Sequence, residues 1–91
     1  MLLAGALTAT LGLGCAPIAS QTVIDEAADL LERADRGGAE QLAKHEYWSA
    51  EAYLEAARMR QGHADHDGAL RFARMARDFA NNAFIIVQQV Q

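Results

Sequence analysis

Residues 43–57, AKHEYWSAEAYLEAA, and residues 69–90, ALRFARMARDFANNAFIIVQQV, set the architecture between them. In the first stretch Ala43, Tyr47, Ala50, Leu54 and Ala57 recur at intervals of four, three, four and three. In the second, Ala69, Ala73, Ala76, Ala80 and Ala83 repeat those intervals, each 26 residues further on, and Val87 and Val90 continue the stripe. An α-helix places positions spaced in this way on one face. Two matched stripes predict two helices packed antiparallel. Ala at the seam lets their axes approach near the lower end of the usual range of about 8–10 Å. Phe72, Phe79 and Ile86 flank the second seam and supply the bulk that Ala lacks.

Beyond these two stripes, Gly37, Gly38, Gly62 and Gly68 divide the chain after Pro17, the single proline, into three stretches. Ala, Glu, Arg and Leu dominate them, all strong helix formers. No window shows the alternation of a strand. The reading is therefore all-α: a small Ala-rich antiparallel three-helix bundle, or a helical hairpin plus an N-terminal helix, preceded by a signal peptide. The helices are predicted near 20–36, 41–62 and 66–90, within a helical domain spanning 20–91. The first carries Val23, Ala27, Leu30, Leu31 and Ala34 on one stripe and ends at Gly37-Gly38. Gly62 is expected as a C-cap glycine and Asp65 as the cap of the last helix. Asp67 with Arg71 and Arg74 with Asp78 have the spacing of i,i+4 ion pairs.

Trp48, with Ala52 and Met59, lies well round the helix from the Ala43–Ala57 seam. Two accounts exist. The second helix is the middle one of the array, with this side packed on the first helix and Trp48 as a core anchor. Alternatively, the three residues form an exposed partner-binding patch. The first is the expectation.

The charge distribution is asymmetric. The 91-residue chain has a formal net charge of −4, yet no charged side chain precedes Asp25. Residues 1–14, MLLAGALTATLGLG, have the length of a secretory apolar core and fall short of the roughly 20 residues of a spanning helix. They are read as a signal peptide. Its end, Leu11-Gly12-Leu13-Gly14 followed by the lone Cys15, resembles a bacterial lipobox, although Leu stands one place early. That resemblance implies lipidation of Cys15 and an anchor and short linker over 15–19. Because Ala16 rather than Asp follows the cysteine, it also implies the periplasmic face of the outer membrane rather than the inner membrane. The competing account is an uncleaved N-terminal membrane anchor. One cysteine excludes an intramolecular disulfide.

The run Gly38-Ala39, Ala43, Glu46-Tyr47-Trp48, Ala50, Tyr53-Leu54 and Ala57-Arg58, then Gly68-Ala69, Ala73, Ala76, Phe79-Ala80 and Ala83, is similar to small bacterial lipoproteins of domain-of-unknown-function family 4398. Members often have a proline where this chain has Lys44. The resemblance implies an exported, lipid-anchored module shaped like a tetratricopeptide hairpin, without an established activity. One hairpin is short of the three or so repeats of about 34 residues that a tetratricopeptide array needs.

The residues offer little chemistry. His63, Asp65 and His66 form the one cluster with metal-ligating side chains, on the turn at 62–67, but their spacing matches no closed zinc site and no metal is expected. A metal- or ligand-binding periplasmic module centred there is the alternative function. No Ser-His-Asp set, phosphate loop or paired carboxylates are evident, so the chain is read as not an enzyme, without cofactor or small-molecule substrate. Glu51 and Glu55 are read as solvated acids. A pI near 5.2 argues against nucleic acid as a partner. Arg71, Arg74 and Arg77 make a short basic strip, a candidate surface for a partner. The expected function is structural or adaptor-like: helical protein–protein contacts near the envelope, with an envelope protein or by self-association. A small Ala-rich core is marginal alone, which favours such association.

Overall fold

The computed structural model describes the backbone of residues 2–91 and the side chains of residues 17–91. It is all helical: α1 (Leu2–Arg36), a single turn α2 (Ala39–Leu42), α3 (Lys44–Gly62) and α4 (His66–Val90). The chain runs up, down and up. Gln61 near the end of α3 donates from Nε2 to Gln21 Oε1 of α1 at 3.0 Å, so these helices are antiparallel. At the other end Gln91 donates from Nε2 to the Gly37 carbonyl at 3.0 Å, so α1 and α4 are parallel.

The two matched seams meet as their spacing requires. Ala50, Leu54 and Ala57 of α3 and Ala69, Ala73, Ala76, Ala80, Ala83 and Val87 of α4 are all buried. Tyr47 is half-buried, and Val90 is exposed at the chain end. Beside the seam runs an aromatic ladder. Tyr53 stacks on Phe79 with centroids 5.7 Å apart and on Phe72 at 6.0 Å, and His45 meets the Phe79 ring edge-on. Arg60 closes the ladder over Phe72 at 5.9 Å. Each such ring pair adds roughly 0.5–1.5 kcal/mol beyond burial.

A third seam completes the pattern. Ser20, Ile24, Ala27, Leu31 and Ala34 of α1 are buried, at the same four-three-four-three intervals, 23 residues before the α3 set. The predicted stripe of α1 is therefore centred slightly off: Ile24 and Ser20 belong to it, and Val23 and Leu30 flank it. Ser20 is a polar member, and its hydroxyl donates to the Pro17 carbonyl at 3.0 Å. Both α1 and α3 lay their seams on α4. The middle helix is thus α4, not α3, which corrects the expected arrangement. Its Ala stripe faces both neighbours because Ala leaves room for two helices at once.

Several boundaries also differ. Residues 17–19, read as linker, are helical and belong to α1; Thr22 Oγ1 donates to the Ile18 carbonyl at 2.9 Å in the same turn. The helix predicted from 41 to 62 is broken at Ala43 (φ −139°, ψ 55°), which is buried. Gly62 remains inside α3. The left-handed residue of that turn is Ala64, at φ 59°. Ala64 donates its N–H to the Gln61 carbonyl and Asp65 to the Arg60 carbonyl, closing a Schellman motif around an alanine. Asp65 caps α4 as expected, accepting from the Gly68 N–H at 2.9 Å. A side chain at 68 would collide with that carboxylate, which accounts for Gly68. At the opposite end α1 stops at Gly37-Gly38 as expected. Gly38 takes φ 97°, and a Cβ on Gly37 would strike Val87.

Candidate functional site

The lipobox-like residues Leu11, Gly12, Leu13 and Gly14 and the lipidation candidate Cys15 lie outside the described side chains. Among the described residues no helix is long and apolar enough to cross a membrane.

On α3, Trp48, Ala52 and Met59 point away from α4 and are exposed, Trp48 at 53% and Met59 at 58%. The predicted burial of Trp48 against α1 does not occur. With α4 in the middle, α3 is an outer helix, and among the described residues its far face has nothing to pack on. Trp48 is held by an edge-on contact with the Tyr47 ring, centroids 4.9 Å apart.

The basic strip divides. Arg77 is half-buried and pairs with Glu26 of α1 at 3.6 Å, and with Asp78 at 4.0 Å. Arg71 and Arg74 are exposed and make no ion pair among the described residues. The predicted pairs Asp67–Arg71 and Arg74–Asp78 do not form. Little is lost, since exposed i,i+4 pairs contribute only a few tenths of a kcal/mol.

The side of the α1–α3 pair away from α4 is an open groove of about 250 Å³. Ala28, Leu31, Glu32 and Asp35 line it from α1, and Tyr47, Glu51, Leu54 and Arg58 from α3. Its floor is apolar and its rim charged. Burial first, and then the charges of Asp35, Glu51 and Glu40, raise the Tyr47 hydroxyl above its ordinary pKa. The upper half of the groove is therefore electronegative, with Arg58 the cation at its lower end. Nothing in the sequence announces this groove. Glu51 reads there only as a solvated acid, because one helix at a time does not reveal which faces two antiparallel helices turn toward each other.

On the 62–67 turn, Asp65 is committed. One oxygen caps α4, and the other lies 3.7 Å from Arg60. His63 caps the end of α3, and His66 opens α4. Among the described residues no three His, Cys, Asp or Glu side chains gather as metal ligands. Comparison with family models, curated proteins and solved structures gives no match for the chain.

Proposed function

We propose that this chain is an exported lipoprotein, anchored through Cys15 at the periplasmic face of the outer membrane, whose helical domain is a non-catalytic adaptor. The observation that supports the adaptor role is the bare outer face of α3. Trp48, Ala52 and Met59 line one helical stripe, and Trp48 is more than half exposed. An exposed tryptophan is a common anchor of a protein interface, and Met59 adds an adaptable apolar side chain about three turns further along the same stripe. The uncharged leader ending at Cys15 supports the anchor. Partner proteins would be other envelope components or further copies of the chain. Intact mass of the protein recovered from a bacterial envelope fraction tests the anchor: a chain starting at Cys15 with acyl mass, absent in Cys15→Ser, is expected. An unmodified full-length mass would overturn it. Photocrosslinking from position 48 tests the adaptor surface and is expected to yield a discrete protein adduct.

A further inference from the structure

We infer that the open α1–α3 groove receives the outer face of α4 from a second copy of this chain, so that copies stack head to tail. A charge register supports this pairing. On the side of α4 away from its Ala seam, Asp67, Arg71, Arg74 and Asp78 fall at four-three-four intervals, about half a turn round the helix, and all are exposed. Arg71 and Arg74 make no ion pair within the chain among the described residues, and neither do Asp35 and Glu51 across the groove. Glu32 pairs with Arg36 at 3.6 Å, an exposed contact that leaves its second oxygen free to accept.

At a rise of about 1.5 Å per residue, Glu32 lies about 4.5 Å below Asp35 along α1. Arg58 lies about 10.5 Å below Glu51 along α3, in the same direction because the helices are antiparallel. On the incoming α4, Arg71 lies about 4.5 Å below Arg74 and Asp67 about 10.5 Å below it. The Gln21–Gln61 contact sets Asp35 about 6 Å above Glu51, and with Arg74 midway between them Arg71 comes within about 3 Å axially of Glu32, and Asp67 within about 3 Å of Arg58, offsets that these side chains span. Acid, acid, base in the groove faces base, base, acid on the helix. In this register the guest helix is parallel to α1 and antiparallel to α3. That repeats, on the open side, the relation the chain's own α4 has with both. Groove and outer face lie on opposite sides of the molecule, so one pairing leaves both ends unfilled. Such heterologous contacts grow beyond a dimer.

This inference goes beyond the adaptor reading: it uses the α1–α3 groove and the outer face of α4, not the Trp48 stripe, and it does not require lipidation at Cys15. The measurement is sedimentation equilibrium of the full chain in density-matched neutral detergent, separate from the mass test above. Wild type is expected to form species larger than two chains, in single-chain steps, weakened by salt. Arg71→Glu with Arg74→Glu should weaken association by about tenfold or more, and so should Glu32→Lys with Asp35→Lys and Glu51→Lys. An equimolar mixture of the two variants should restore it, since each negative face then finds a positive groove. Circular dichroism establishes that each variant is helical. If the triple reversal unfolds, Glu32→Gln with Glu51→Gln replaces it, with weakening alone as the readout. A wild type that remains a single chain or stops at a closed dimer would overturn the inference. So would folded reversals that assemble like wild type, or folded variants whose mixture fails to associate.

Discussion

The two sides of the α1–α3 pair face different surroundings. On one side α4 fills the space, and the residues that meet are Ala, Leu, Ile and Val with the one polar Ser20, almost without exposed surface. On the other side no element covers the pair among the described residues, and acids stand along the rim of a shallow groove. Leu31 and Leu54 belong to both, buried in the core and flooring the groove. The difference lies in what a third helix does. Once it is present, apolar burial dominates the energy. Without it, the same pair keeps its charges in water.

The contrast is most exposed to test at a shared residue. Leu54→Ala should cost about 2–5 kcal/mol, because it leaves a cavity under α4. Asp35→Asn with Glu51→Gln, on the open side, should change stability by less than about 0.5 kcal/mol each. Urea unfolding of the full chain measures both, and acid substitutions as damaging as Leu54→Ala would erase the distinction between the sides. Next in size is the end of the closed side. Gly37→Ala puts a methyl into Val87 and should cost about 1–3 kcal/mol by overpacking, read from the same unfolding curves.

The two turns make a smaller contrast. Gly38 and Ala64 both adopt positive φ, but only one is glycine. Ala64→Gly should stabilise the fold by about 1 kcal/mol, and Gly38→Ala should destabilise it by a similar amount. Equal melting temperatures for wild type and Ala64→Gly would contradict the strain assigned to that turn. The smallest effect concerns Tyr47. Its raised pKa means that the folded state favours the neutral phenol. That contribution is complete below the unfolded value of 10.0 and is lost as pH rises through the higher folded value. Tyr47→Phe should flatten this part of the alkaline fall in stability; an unchanged slope would remove the electronegative groove from the account.

Much of the fold is legible in the sequence because its signals are local and periodic. The α3 and α4 seams, the stop at Gly37-Gly38 and the Asp65 cap each depend on spacing or on one residue's chemistry. The break at Ala43 is not legible. It occurs in an alanine, with no glycine or proline to mark it, and is set by how α2 folds over the ends of α3 and α4. The shift from Gly62 to Ala64 is hidden for a similar reason. Glycine is the default at a left-handed position, and here the hydrogen bonds of the motif hold an alanine there instead. The third seam is half visible. Ser20 opens it with a hydroxyl, which reads as polar until its bond to the Pro17 carbonyl is seen.

For the candidate surfaces, spacing places Trp48, Ala52 and Met59 on one stripe but does not tell which neighbour, if any, that stripe meets. It groups Arg71, Arg74 and Arg77 as one strip, whereas Glu26 draws Arg77 inward. The helices, their inner faces and the turns between them are written into the chain locally, because they follow from periodicity and backbone chemistry within about 25 residues. Which helix lies in the middle, and hence which faces are left bare, emerges only when the helices pack. Three Ala-bearing seams of one spacing can pair in more than one order, and the choice rests on how side chains from distant parts of the chain share the space along α4.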